Sequence, residues 1–168
     1  MRQNTSLKIR EATLEDAQGI TDVHVKAWQE SYQGIIAQNV LDALSAEQRL
    51  SSWVKILQDF PEGHFVACVN ETVIGFCGAG PSRSDLGKGE IYALYVLNAY
   101  KGIGAGYQLF SAAASFLTAK GLSPYIAQAL EANKPARAFY ERQGGIVCGS
   151  STYTVDDKTY PEVCYCFE

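Results

Sequence analysis

Metal ligands are scarce in this chain of 168 residues. Its two histidines, His24 and His64, lie far apart, and its five cysteines include no CxxC pair. The cysteines are Cys68, Cys77, Cys148, Cys164 and Cys166. Because a structural zinc site needs closely spaced Cys and His ligands, we expect no metal. The odd number and scattered positions of the cysteines favour small buried thiols in a reducing compartment.

The sequence also lacks a long apolar run and an excess of basic residues. No segment approaches the roughly 20 consecutive apolar residues of a membrane-spanning helix, and Met1–Ser6 lacks the apolar core of a signal peptide. The formal net charge of −4 differs from the basic surface that is typical of nucleic-acid-binding proteins. We therefore expect a cytoplasmic protein whose partners include neither a membrane nor a nucleic acid.

Internal repeats, low-complexity tracts and Pro/Ser-rich linkers are missing as well, so we predict one domain over residues 1–168. Apolar residues recur at helical spacing in some segments and form strand-like runs in others. The predicted elements are, in order, a strand at 7–10, helices at 17–32 and from 45, strands at 64–70, 72–80 and 90–97, a helix at 104–120, a strand at 124–130, a helix from 133 to about 143, and strands at 146–155 and 161–167. This order indicates a mixed α+β sheet.

Three closely spaced glycines are the most informative feature that is present. Gly102, Gly104 and Gly106 follow the predicted strand at 90–97 and open an amphipathic helix. Glycines allow successive backbone N–H groups to point at one spot. The helix N-terminus adds unpaired donors and a partial positive charge. The turn is therefore typical of a phosphate or pyrophosphate site.

Two common glycine-rich motifs do not match this turn. A Rossmann fingerprint needs G-x-G-x-x-G. Counted from Gly102, the third glycine comes one residue early, and counted from Gly104, the third position is Leu109. A P-loop ends in G-K-[ST], whereas Gly106 is followed by Tyr107. Both motifs are excluded.

The segment Lys101–Gly106 instead fits the pattern R/Q-x-x-G-x-G/A, apart from its first position. Lys101 keeps a positive charge there but loses the planar bidentate bonding of arginine. A second block, Asn133–Gly144, fits N-x-x-A-x-x-F-Y-x-x-x-G, and Asn133 is a favourable helix N-cap. With these two blocks about 30 residues apart, the sequence resembles the GNAT superfamily of N-acetyltransferases.

The resemblance implies a GNAT-type acyl-CoA N-acyltransferase fold, with a central, mostly antiparallel sheet of about six or seven strands flanked by about four helices. It implies an acetyl-CoA-dependent N-acetyltransferase in which a primary amine attacks acetyl-CoA directly in a ternary complex, with no metal. It also implies a bulge in the strand at 90–97 that separates this strand from its neighbour. The implied acetyl-CoA-binding residues are Val96, Lys101, Gly102, Ile103, Gly104, Ala105, Gly106, Tyr107 and Asn133.

Glu90 and Tyr140 are the candidate catalytic residues. Glu90 starts the strand before the glycine turn and is similar in placement to the catalytic glutamate of histone-type members, so it is a candidate general base. The alternatives for Glu90 are a solvated strand-start residue or a contact to a substrate ammonium. Tyr140 matches the tyrosine that the family places near the sulfur as general acid, and its alternative is a core aromatic residue. The backbone N–H of Val96 would bond the thioester carbonyl.

The acceptor pocket is predicted to lie against the first helix, the loop that follows it and the loop after Gly80. Trp28, Tyr32 and Tyr92 are candidate walls, with packing in the core as their alternative. We expect His24 to be buried and hydrogen-bonded. Cys77 lacks a histidine partner nearby in the sequence, which disfavours acyl-enzyme chemistry.

Three matters stay open at the level of sequence. A non-catalytic acyl-CoA-binding sensor or assembly module is the alternative function, because fold and cofactor alone do not define activity. The amine could belong to a small amine, an amino acid, a polyamine, an antibiotic, a peptide N-terminus or a lysine side chain. The terminal hairpin could also pair between subunits to give a homodimer.

Overall fold

The computed structural model describes residues 6–168. Residues 1–5, which belong to the N-terminal stretch considered above, lie outside this range. The strands are β1 (Leu7–Glu11), β2 (His64–Val69), β3 (Thr72–Pro81), β4 (Gly89–Val96), β5 (Tyr125–Leu130), β6 (Ile146–Val155) and β7 (Lys158–Phe167). The helices are α1 (Ala17–Tyr32), α2 (Gln38–Asp42), α3 (Ala46–Asp59), α4 (Ala105–Ala119) and α5 (Lys134–Arg142).

The seven strands form one sheet in the order β1-β2-β3-β4-β5-β7-β6. Within residues 6–168, β4 and β5 are the parallel pair and the other neighbours are antiparallel. The predicted α+β class and the mostly antiparallel sheet are confirmed. The expected number of about four helices becomes five, because the short helix α2 was not predicted.

Local chemistry accounts for most of the element boundaries. The Ser45 hydroxyl accepts the Gln48 amide at 3.2 Å and starts α3. The β2–β3 hairpin turns at Asn70 and Glu71, both at positive φ, as a two-residue type I′ turn requires. Gly121, at φ +70°, follows the end of α4 as predicted.

Helices cover both faces of the sheet. On one face, α4 contributes Leu109 and Leu117 to a core cluster that also contains Tyr165 of β7. On the other face, α1 and α3 enclose a second cluster in which Trp53 packs against Phe76 with ring centroids 5.1 Å apart. Each helix therefore buries one apolar stripe against the sheet.

The sheet opens between β4 and β5. These strands pair only where Gly89–Ile91 lies beside Tyr125–Ala127. On the other edge of β4, Ile91 lies opposite Ala79 and Ala93 opposite Gly78, so Tyr92 is the extra residue of a β-bulge. The bulge that the family resemblance implies is therefore present, and beyond it the two strands separate and leave a gap.

One expectation about the cysteines is wrong. Cys148 and Cys166 form a disulfide between β6 and β7, with Cα atoms 5.8 Å apart. The antiparallel pairing of these strands puts Ile146 opposite Cys166, which brings the two cysteines within bridging distance. Cys68, Cys77 and Cys164 are buried free thiols, as expected.

Residues 6–168 lack two features. None of the helices there combines the length and the apolar character that a bilayer crossing requires. Nor does this part of the chain bring three or more His, Cys, Asp or Glu side chains together in a way that could hold a metal ion.

Candidate active site

A cavity of about 1700 Å³ occupies the gap between β4 and β5. At one end, which we call the glycine end, it is lined by Lys101, Gly102, Gly104, Ala105, Gly106, Tyr107 and Asn133. At the other end, which we call the aromatic end, it is lined by Trp28, Tyr32, Tyr92, Tyr95 and Tyr153. Val96 and Tyr140 also line the cavity, in the gap between its two ends. The chain segments that the sequence singled out therefore meet in one place.

The glycine turn needs glycine for its backbone conformation. Gly102 and Gly104 both have φ of +87°, in the left-handed region that disfavours other residues. A Cβ atom at Gly102 would meet no atom within 4 Å, so the space above the turn is open to a ligand. Gly106 has a different role, because a Cβ atom there would lie 3.3 Å from Phe139 of α5. It allows α4 and α5 to pack closely.

Unpaired amides converge on this open space. Gly104 is the N-cap of α4 and provides no side-chain cap. The first intrahelical bond runs from the Gln108 amide to the Gly104 carbonyl at 3.0 Å, so the amides of residues 105–107 have no helical acceptor. With the positive end of the helix dipole, these donors suit an anion such as a pyrophosphate. The Ile103 side chain is exposed and does not line the cavity, which leaves its amide as the group that could contribute.

Val96 directs its amide into the gap. The amide of the next residue, Leu97, donates to the Ile74 carbonyl on β3 at 3.0 Å. Because successive residues of a strand point their N–H groups to opposite edges, the Val96 amide faces away from β3, toward the edge from which β5 has separated. A backbone donor is thus available midway between the two ends of the cavity.

Tyr140 lies in α5 at the wall of this gap. Burial raises the pKa of its phenol, and the neighbouring Tyr32 and Cys77 add to the shift. The side chain of Asn133 accepts the Ala136 amide at 3.3 Å and so caps the helix that carries Tyr140. Tyr140 lines the cavity. The neighbouring Tyr165 does not line it, and its hydroxyl donates to the Glu141 carboxylate at 2.9 Å. Tyr140 is therefore a protonated phenol at the gap.

Glu90 is buried and ion-paired. It is 1% exposed, which excludes the alternative of a solvated strand-start residue. One carboxylate oxygen accepts the Arg83 amide at 3.0 Å and the other accepts its guanidinium at 2.7 Å. Arg83 belongs to the loop after β3, and its guanidinium lies 4.7 Å from the ring centroid of Tyr92. Tyr92 in turn donates its hydroxyl to the Pro81 carbonyl.

The predicted aromatic walls are all present at the aromatic end. The rings of Trp28 and Tyr32 lie 4.8 Å apart, and the Tyr32 and Tyr95 hydroxyls are 3.2 Å apart. The Trp28 ring also approaches Tyr153 of β6, at 6.4 Å between centroids. The indole N–H of Trp28 is buried and has no hydrogen-bond partner in the described chain. These side chains thus combine packing with exposure to the cavity.

His24 is buried and hydrogen-bonded, as predicted. Its Nδ1 accepts the indole N–H of Trp53 at 3.1 Å. Burial, and to a smaller extent the positive charge of Arg49, lower its pKa to about 4. The imidazole is neutral near pH 7, with its remaining proton on Nε2.

Cys77 has the features of a structural thiol. Its Sγ donates to the Leu109 carbonyl at 3.3 Å, and burial raises its pKa to about 12. The thiolate form that a nucleophile needs is therefore scarce at neutral pH.

Sequence reasoning missed Arg49 of α3 and Glu162 of β7, which both line the aromatic end. Burial raises the pKa of Glu162. The only sequence signal for Glu162 is a charged residue within an otherwise apolar strand. Its place in the cavity depends on the strand order, which the sequence does not reveal. Because β7 lies between β5 and β6, Glu162 is opposite Leu130 on one side and Ser151 on the other.

Comparisons with known sequences agree with this geometry. The model of the acetyltransferase (GNAT) family matches residues 23–145. The chain is 35% identical over 136 residues to the uncharacterized N-acetyltransferase YuaI of Bacillus subtilis (strain 168), a match that covers 79% of this chain and 76% of that protein.

Solved structures share the fold at low sequence identity. An N-acetyltransferase from Staphylococcus aureus Mu50 superposes with a TM-score of 0.75 at 21% identity, over 98% of this chain and 99% of its own. The PaiA N-acetyltransferase from Thermoplasma acidophilum, solved in complex with coenzyme A, gives a TM-score of 0.69 at 21% identity, over 94% and 98% of the two chains. The fold class expected from the sequence is confirmed.

Proposed function

The chain belongs to the acetyltransferase (GNAT) family and is an N-acetyltransferase, and from this premise we propose that it transfers the acetyl group of acetyl-CoA directly to a primary amine in a ternary complex. The observation that carries this proposal is the gap beyond Ile91, which joins the glycine end to the aromatic end in one cavity. Two substrates can therefore enter from opposite ends and meet beside Val96 and Tyr140.

The glycine end suits the diphosphate of acetyl-CoA. Open space over Gly102 and the unpaired amides of residues 102–107 form an anion-binding turn. Lys101 adds a positive charge at its rim. The CoA complex of a fold neighbour supports the same ligand here. Asn133 contributes by capping α5.

Three groups of the gap would carry the chemistry. Acetyl-CoA supplies an activated acetyl group, whose C–S bond breaks as the C–N bond to the amine forms. Glu90, through water and with the lone pairs that Arg83 leaves free, accepts the protons that the nitrogen loses as it becomes an amide and releases them to solvent. The Val96 amide bonds the carbonyl oxygen as negative charge develops there. Tyr140 gives its proton to the departing thiolate and regains one from solvent, so protons balance.

A non-catalytic acyl-CoA sensor is the second candidate. The protonated Tyr140 phenol and the buried Glu90 in the same cavity favour the enzyme over the sensor, since a binding module needs neither. Both functions predict thermal stabilisation by acetyl-CoA, because any ligand of the folded state stabilises it.

Release of free thiol from acetyl-CoA distinguishes an N-acetyltransferase from a non-catalytic sensor. The protein is incubated with acetyl-CoA and an arrayed panel of primary amines and peptides, and the N-acetyl product is identified by mass spectrometry. We expect thiol release only when acetyl-CoA and a suitable amine are both present, with one product molecule for each thiol. Thermal stabilisation by acetyl-CoA without turnover of any amine would instead favour the sensor.

Location and assembly are further proposals. A cytoplasmic enzyme would hold the Cys148–Cys166 pair as thiols, because that compartment is reducing, and alkylation of acid-quenched cells would report their state.

A homodimer through the terminal hairpin is supported by β6, an edge strand on which Ile146 is 73% and Val147 53% exposed. Sedimentation velocity would then give a dimer for the native chain and a monomer for Val147→Lys.

A further inference from the structure

Two buried hydrogen-bond donors at the aromatic end have no acceptor within the described chain. They are Trp28 Nε1 and Arg49 Nε, and both residues line the cavity. A buried donor without a partner costs about 1–3 kcal/mol. Two such donors in one cavity wall therefore favour a ligand that supplies acceptor atoms, and a carboxylate carries two oxygens.

A negative charge lies near the same wall. The ion pairs of residues 6–168 involve neither Arg49 nor Glu162. Three other acids line the cavity: Glu90 is bonded to Arg83, Glu30 accepts the Asn98 amide at 3.1 Å, and Asp156 lies in the turn between β6 and β7. Glu162 thus offers a carboxylate to a cation in the cavity.

Tyr153 lines the cavity together with Arg49 and Glu162. Its ring lies 6.4 Å from that of Trp28. Burial raises the pKa of Tyr153, while the charge of Arg49 lowers it and the charge of Glu162 raises it. Arg49 and Glu162 therefore line the same cavity as Tyr153, where one small ligand could contact both.

We propose that the acceptor is a free α-amino acid, whose carboxylate binds Arg49 and the indole N–H of Trp28 while its amine passes Glu162 on the way to the gap. This inference rests on the proposed function. It selects a substrate in which an ammonium and a carboxylate are a few bonds apart. Polyamines lack the carboxylate, and a peptide N-terminus replaces it with an amide. The rings of Trp28 and Tyr32 favour an apolar or aromatic side chain.

A matched set of amines tests the inference. Phenylalanine, phenylalanine amide and phenethylamine share one side chain and differ only in the group that Arg49 would bind. We expect kcat/KM for phenylalanine to exceed the other two by about tenfold or more, because a site built for a polar group rejects the analogue that lacks it. Leucine, leucine amide and 3-methylbutylamine repeat the comparison with an aliphatic side chain.

Variants of Arg49 and Trp28 test whether these two donors cause the preference for an amino acid over an amine without a carboxylate. Arg49→Met is expected to lower kcat/KM for phenylalanine about tenfold more than kcat/KM for phenethylamine, and Arg49→Lys is expected to recover part of this difference. Trp28→Phe, which keeps the ring and removes the N–H, is expected to change the preference in the same direction and serves if Arg49→Met does not fold. Lys55→Met, exposed on the same helix and outside the cavity, is the control.

Each outcome has a defined meaning. Thiol release at similar kcat/KM for the acid, the amide and the amine would overturn this inference and leave the proposed function intact. A uniform loss over all three substrates in Arg49→Met and Trp28→Phe would also overturn it, since the two residues would then only support the fold. Absence of thiol release with every amine would contradict the proposed function itself.

Discussion

Tyr140 combines a buried phenol with access to the gap, and this combination defines its expected role. Burial raises its pKa, so the phenol holds its proton until a stronger base, such as a departing thiolate, takes it. We predict that Tyr140→Phe lowers kcat by roughly 100-fold and leaves the KM for acetyl-CoA nearly unchanged. Tyr125→Phe, another buried tyrosine away from the cavity, is the matched control. Full activity in Tyr140→Phe would reduce Tyr140 to a packing residue.

The role of Glu90 as general base is tested by replacing it with glutamine, a side chain of equal size. Glu90→Gln keeps an acceptor for the Arg83 amide but removes the charge that would accept a proton. We predict a loss of kcat of roughly 100-fold for amines that are protonated at the assay pH. Circular dichroism of the variant checks that the helices and the sheet are intact. Unchanged activity at every pH would remove Glu90 as the base.

The buried imidazole of His24 predicts a pH dependence of stability. Its pKa is about 4 in the folded chain and about 6.5 when unfolded. Between these values the unfolded chain binds a proton that the folded chain does not, so the free energy of unfolding falls as pH decreases from 6.5 to 4, by up to about 3 kcal/mol. Burial lowers the pKa of His64 too, which acts in the same direction.

Urea unfolding at pH 7 and pH 5 measures this effect. His24→Gln keeps an acceptor for the Trp53 indole and removes the titration, so we expect its stability to change less between the two pH values than that of the native chain. An equal change in both proteins would show that the burial of His24 does not govern the pH dependence.

At the scale of elements, the glycine turn can be tested against a matched glycine elsewhere. Gly102 and Gly121 both have positive φ, and a Cβ atom at either would meet no protein atom within 4 Å. Alanine at either position therefore adds a similar strain of roughly 1–2 kcal/mol. We predict that Gly102→Ala weakens acetyl-CoA binding about tenfold or more, because its methyl group enters the anion site. Gly121→Ala should bind acetyl-CoA normally in calorimetry, and equal affinities would contradict the assignment of the turn.

The elements were largely predictable because their signals are local. Periodicity located α1 and α4, and a two-residue turn at Asn70 and Glu71 located the first hairpin. The helix α2 was missed because five residues are too short to show a period of 3.6. The Cys148–Cys166 disulfide was missed because it depends on the register of β6 against β7, which the cysteine count does not reveal.

At the scale of the whole molecule, site residues within a local motif were predictable from the sequence, whereas residues outside any motif were not. Lys101–Gly106 and Asn133–Tyr140 carry recognisable motifs, and the structure brings both to one cavity with Trp28 and Tyr32. Arg49 and Glu162 belong to no motif. Arg49 reaches the cavity because α3 packs against α1, and Glu162 reaches it because the chain inserts β7 between β5 and β6. The glycine end and the aromatic walls were therefore predictable in outline, whereas the charged residues Arg49 and Glu162 needed the tertiary structure.

The most direct test of the whole account is a titration of backbone amide chemical shifts by NMR, first with CoA and then with acetyl-CoA. We predict saturable shifts of the amides at residues 102–107 with both ligands, because both carry the diphosphate. We predict an additional shift of the Val96 amide with acetyl-CoA alone, because only this ligand has the thioester carbonyl. Saturable binding that leaves residues 102–107 and Val96 unperturbed would contradict the account.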